Sequence, residues 1–136
     1  MTQLEALQSA LAAEHAAVYG YAVVGAHLSG ADRALAARHL DEHRAARDEL
    51  EAIIRERDGV PATALAGYEL PFEVTGRSSA RRLAARLERA TTGAYAGLVG
   101  TSRDDVRRHA ALAMQDCAVR QARWSGTVDP LPGLRT

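Results

Sequence analysis

Residues 2–28 read TQLEALQSALAAEHAAVYGYAVVGAHL. Leu4, Leu7, Leu11, Glu14, Val18, Tyr21, Gly25 and Leu28 follow one another in alternating steps of three and four. That spacing lines one side of an α-helix and describes a seam packed lengthwise on neighbouring helices. Thr2 and Glu5 supply a capping box, in which hydroxyl and carboxylate each satisfy an orphan backbone N–H. A helix is therefore predicted from Thr2 to Leu28, with Ser29-Gly30 as the turn that ends it.

The same rules carry outward. A second helix is predicted from Ala31 to Asp58. Leu35, His39, Glu42, Ala46, Leu50 and Ile53 lie on its inner side, with Leu40, His43, Arg47 and Ile54 beside them. Gly59 and Pro61 stop it. The connection from Gly59 to Arg77 contains Tyr68-Glu69-Leu70-Pro71-Phe72, where Pro71 forces Leu70 out of the helical region. Loops beyond ~12–15 residues are uncommon without a task, and a crossover along a bundle is such a task. A third helix is predicted from Ser79 to Val99 on Leu83, Leu87, Ala90, Ala94 and Leu98. Ser102 and Asp105 offer a second capping box for a fourth, from Arg103 to Trp124. Apolar residues never alternate for long, so no strand competes. The predicted fold is all-α: residues 1–126 form a four-helix bundle, two antiparallel hairpins joined by a long crossover, and 127–136 an irregular tail.

Composition narrows the function classes. The chain has 136 residues and is 47% hydrophobic, enough for one domain with a core. Its 17 basic and 17 acidic residues cancel, which leaves no electrostatic footprint for nucleic acid or an anionic membrane. Every basic side chain is arginine, so lysine Schiff-base chemistry is excluded. The lone Cys117 has no internal disulfide partner and fits a reducing compartment. The N-terminus lacks the pattern of a signal peptide, and no apolar run suffices to span a membrane. A cytoplasmic protein is expected.

Glu14 breaks the seam of the first helix. An unpaired buried carboxylate is costly, so it needs a partner. At ~1.5 Å rise per residue, Glu14 and the pair Glu42 and His43 stand near one level on either side of the first turn. Glu88 and Asp116 do so around the second. Each helix thus carries one acid near its middle, with His15, His39 and His43 close by. Glu14, His39, Glu42, His43, Glu88 and Asp116 are the candidate metal ligands, for iron or manganese. The competing reading is a polar network, with Glu14 bonded to His43, Arg44 or Arg47 and the other acids solvated. Glu88 and Asp116 fall one position off the apolar seams, toward solvent or a subunit boundary. His39-Leu40-Asp41-Glu42-His43 also fits an inverted zinc-protease pattern, on a chain too small for such an enzyme. Gly20 and Gly25 permit close helix approach, or else open a cavity beside Tyr19 and Tyr21. Cys117 reads as a small core residue. The pairs Arg81-Arg82 and Arg107-Arg108 read as exposed faces beside compensating acids.

These residues carry a resemblance. Glu14-His15-Ala16-Ala17-Val18-Tyr19-Gly20-Tyr21, His43-Arg44-Ala45-Ala46-Arg47-Asp48, the Tyr68–Phe72 segment and the Ala/Arg-rich fourth helix resemble the ferritin-like superfamily. More closely, the chain resembles a small actinobacterial ferritin-like domain family of unknown function, over nearly its whole length to Trp124. Metal-binding ferritin-like proteins use a lone Glu on two helices and Glu-x-x-His on the other two. Glu14 and Glu88 match the lone acids. Ala45 and Val119 stand where the two histidines belong, while His39-x-x-Glu42 gives the reverse order with His43 adjacent. The resemblance implies a homodimer, paired lengthwise and covering the apolar crossover. Three functions follow, in order: a non-catalytic interaction or structural bundle; an iron- or manganese-binding oxidase or iron-handling protein with a rearranged site; a small-molecule binder beside Gly20, Gly25 and Tyr21.

Overall fold

The computed structural model describes residues 1–125 and contains α1 (Gln3–Ala26), α2 (Gly30–Glu56), α3 (Arg77–Thr101) and α4 (Asp105–Ser125). No strand occurs among the described residues. The predicted tail, 127–136, lies outside them. No helix among the described residues is long and apolar enough to cross a membrane.

Helix ends follow local chemistry, with three corrections. The Thr2–Glu5 capping box opens α1, which stops at Ala26 rather than Leu28. Gly30 then takes φ +57°, a left-handed conformation that suits glycine in a tight turn. At the end of α2 the left-handed residue is Asp58 (φ 60°), not the predicted Gly59. Asp58 N–H donates to Arg55 O and Gly59 N–H to Ile54 O, the paired bonds of a Schellman end. Aspartate tolerates this conformation better than most residues. Gly59 is required for a different reason: a Cβ there would lie 2.8 Å from Ile54 Cγ2 and 3.2 Å from Ile54 O. Finally, α4 is capped by Asp104, whose Oδ1 accepts from Val106 N–H at 3.0 Å. Ser102, the predicted cap, instead ends α3 and accepts from Gln3 Nε2.

The crossover climbs the flank of α1. Gln8 bonds Val60 O and Ala62 N–H, His15 Nε2 meets Ala62 O at 2.9 Å, and Tyr19 packs on Tyr68. Leu70, Phe72 and the buried Val74 then cover the far end of the bundle. So α3 starts beside the end of α1, and Arg77 and Arg81 fasten it to Asp32 of α2. This route surrounds α1, which packs on α2 and α3 as well as the crossover. It explains why Ala6, Ala10, Ala17 and Val24 are buried together with the seam residues Leu7, Leu11 and Tyr21.

Two apolar clusters fill the two ends. Leu7, Leu11, Leu50, Ile54 and Leu98 make one, and Val24, Leu28, Ala36, Leu83 and Trp124 belong to the other. Between them lies a polar layer. On one side of that layer α2 and α4 stand apart, and an open groove of about 580 Å³ runs between them.

Candidate functional site

The polar layer is built from helix faces turned by less than one residue from those predicted for α2 and α3: His39, Leu50, Leu83 and Leu98 are buried as expected, and the residues beside them differ. The buried line of α2 runs through Ala36, His39, His43, Leu50 and Ile54. His43 therefore turns inward and Glu42 outward, to the rim of the groove. The buried line of α3 runs through Ala84, Glu88, Thr91, Tyr95 and Leu98. Glu88 is thus fully buried, not solvated. On α4, Cys117 and Trp124 are buried and Asp116 stays exposed on the groove wall.

His43 sits at the middle. Its Nδ1 bonds Glu14 Oε1 and its Nε2 bonds Glu88 Oε2 at 2.8 Å, with all three side chains shut off from water. Burial works against a charged imidazole there. The hydrogen bonds and charges of Glu14 and Glu88 outweigh it, raising the His43 pKa to about 9. His43 is an imidazolium at neutral pH and donates from both nitrogens. Burial likewise pushes the Glu88 carboxyl up, but His43, Arg120 and Tyr21 hold it below its ordinary range.

The network extends in both directions. Tyr95 OH donates to Glu14 Oε2 at 2.6 Å. Tyr21 OH donates to Glu88 Oε2 and accepts from Trp124 Nε1 at 2.9 Å. Burial first and the adjacent carboxylates second raise both phenols, so they remain donors. Trp124 Nε1 also reaches His39 Nδ1 at 3.0 Å. An indole N–H only donates, so His39 Nδ1 is an acceptor and its proton sits on Nε2. Burial lowers the His39 pKa to about 4 and keeps this ring neutral. The second cation is Arg120, with Nε 3.0 Å from Glu88 Oε1 and Nη1 2.9 Å from Glu42 Oε2. The chain from Trp124 through Tyr21, Glu88, His43 and Glu14 to Tyr95 ties all four helices together.

Six residues were candidates. Glu14, His43 and Glu88 meet; His39 stands one bond away, on Trp124; Glu42 is held at the rim by Arg120; Asp116 joins no hydrogen bond of this centre. His15 faces the crossover. The expected partners Arg44 and Arg47 lie outside, paired with Asp41 and Asp48. Sequence reasoning put Tyr21 on the seam but not in this network, and missed Tyr95, Trp124 and above all Arg120. A signal for Arg120 was present: Val106, Ala110, Ala113, Cys117, Arg120 and Trp124 step by four and three, a seam as strict as that of α1. Cys117 is buried and burial pushes its thiol up, as fits a core residue. Gly20 meets the expectation of close approach, since a Cβ there would strike Leu87. Gly25 does not, because its Cβ would meet open space.

A family model described as a domain of unknown function (DUF4439) matches residues 6–136. The chain belongs to this family. The DUF4439 chain is also similar to a solved structure, that of a conserved hypothetical protein, rv2844, from Mycobacterium tuberculosis. The two share 35% identity over 91% of this chain and 95% of that one, with a TM-score of 0.89. No curated protein matches the chain.

The fit of iron or manganese to this DUF4439 centre can be judged from its donors. A histidine ligand must offer a deprotonated nitrogen. Both nitrogens of His43 are engaged by carboxylates, and its proton is held well above neutrality. Both Glu88 oxygens are taken, one by Arg120 and one by His43 and Tyr21. Among the described residues no group of His, Cys, Asp and Glu is arranged to hold a metal ion. As it stands, the donor set does not fit the metal.

Proposed function

We propose that this DUF4439 chain is a ferritin-like bundle that serves as a non-catalytic interaction or structural module. The crossover joining two helical hairpins supports the ferritin-like part. The observation that carries the functional part is charge pairing: Glu14 and Glu88 meet His43 and Arg120, so the buried centre balances its charges with its own side chains. A reacting centre needs a nucleophile, base or open coordination position aimed at a substrate. Here the polar groups are directed at one another.

The second reading is the rearranged iron or manganese site of an oxidase or iron-handling protein. It is favoured by one observation, that Glu14, His39, Glu42 and Asp116 all line the groove leading inward. Elemental analysis after incubation with Fe(II), Mn(II) and Zn(II) separates the two. On the structural reading, wild type retains no stoichiometric metal after dialysis. Retention near one or two equivalents, lost in Glu14→Ala, would establish the metal reading instead.

A homodimer belongs to the same proposal. Its support is apolar surface left uncovered: Val60 and Leu65 on the crossover, Leu112 and Val119 along α4. Light scattering on the eluting protein tests it, and a monomeric mass would sink it.

A further inference from the structure

Arg120 is the one basic residue on the inner seam of α4, and its side chain is only 11% exposed. Burial opposes its charge, and Glu88 outweighs that to keep it protonated. The guanidinium joins a carboxylate that never meets water to one on the groove rim, at 3.0 Å and 2.9 Å. Carboxylates from separate helices converging on one positive charge is the arrangement that hard divalent cations select. Here the charge comes from the chain itself.

We propose that the polar centre is a cation site with its cation built in: the Arg120 guanidinium takes the place of a divalent ion between Glu88 and Glu42, and so keeps such ions out. The inference rests on the structural reading above. Its consequence is a latent site. Without the guanidinium, Glu88 Oε1 and Glu42 Oε2 lose their shared partner and Cys117 Sγ loses its donor, at a place where Glu42 and Arg120 line the groove. Asp116 lies one helical turn before Arg120 on the same groove wall, and the neutral His39 lines it too. Those oxygens suit Mn(II), and an added imidazole shifts the preference toward Zn(II).

The test compares wild type with Arg120→Ala, Arg120→His and Arg120→Lys. The thermal midpoint is measured with and without Mn(II) and Zn(II), and metal content after dialysis. Wild type and Arg120→Lys, each with a resident cation, are expected to show no midpoint change and no retained ion. Arg120→Ala is expected to melt lower, then to recover saturably with Mn(II) or Zn(II) and keep about one equivalent. Arg120→His is expected to hold Zn(II) at least about tenfold more tightly than Arg120→Ala. Should the alanine variant not fold, Arg120→His refolded with Zn(II) carries the test. Glu42→Gln added to either variant should weaken uptake. Folded variants that take up neither ion, or uptake insensitive to Glu42→Gln, overturn the built-in cation and leave the structural reading standing. Wild-type retention that disappears in Glu14→Ala overturns the structural reading itself.

Discussion

Tyr95 donates its hydroxyl to Glu14 Oε2 where neither side chain touches water. Removing that hydroxyl leaves a charged oxygen without one of its donors in a dry site, a loss of about 1–3 kcal/mol. Tyr95→Phe keeps the ring and its packing, so the loss isolates the hydrogen bond. Urea unfolding should show a lower midpoint with an unchanged slope. An unshifted midpoint would mean that water or another donor satisfies Glu14. Residue by residue, legibility tracked how far each side chain departed from the habit of its type. Glu14 was readable because an acid on a leucine seam is conspicuous. Arg120 sits on an equally strict seam, yet arginine on an arginine-rich helix reads as surface. Tyr21 reads as a seam residue and Tyr95 is not singled out, since sequence gives no sign that a buried phenol has a carboxylate to meet.

At the scale of the element, the four helices were legible from period and punctuation, and their phases were not. Shifting a helix by one residue rotates it by about 100°. A turn smaller than that, which leaves His39, Leu50, Leu83 and Leu98 inside, exchanged Glu42 for His43 and carried Glu88 inward. The cause is tertiary: α2 faces an open groove on one side, so its apolar residues leave the inner line underdetermined. Glycines show a similar division. Gly59 is pinned, because a methyl group would collide with Ile54 Cγ2 at 2.8 Å and Leu4 Cδ1 at 2.9 Å, and the Ile54 carbonyl cannot swing aside. Gly59→Ala should destabilise by about 1–3 kcal/mol. Gly93 lies inside α3 with nothing within 4 Å of its would-be Cβ. Gly93→Ala should stabilise by about 0.5–1 kcal/mol and raise the melting temperature by roughly 2–5 °C. Opposite signs for the two substitutions in one melting experiment check the pair. A loss at Gly93 would point to an uncounted partner on that face.

Across the whole molecule, two of the buried histidines, His39 and His43, set the pH at which the bundle is most stable. His43 holds its proton in the fold to about pH 9, against an ordinary 6.5. The folded state therefore binds a proton that the unfolded chain releases. The stability this contributes is complete below pH 6.5 and is lost as pH rises through about 9. His39 has the opposite sense. Burial lowers it from 6.5 to about 4, so the unfolded chain binds a proton that the fold refuses. Its contribution is complete above pH 6.5 and lost as pH falls through about 4. Glu88, held below its ordinary range by His43, Arg120 and Tyr21 against the opposing effect of burial, adds to the loss on the acid side. Each histidine is worth on the order of a few kcal/mol. Stability should peak near pH 6.5 and fall on both flanks. The two flanks also separate by substitution. His43→Gln should be less stable overall but flat from pH 6.5 to 9. His39→Gln should keep the alkaline fall and lose part of the acid one. Urea midpoints at pH 4.5, 6.5 and 9 for the three proteins distinguish these curves. A wild-type midpoint that holds level from 6.5 to 9 would mean that His43 carries no extra proton, and that the centre balances its carboxylates in some other way.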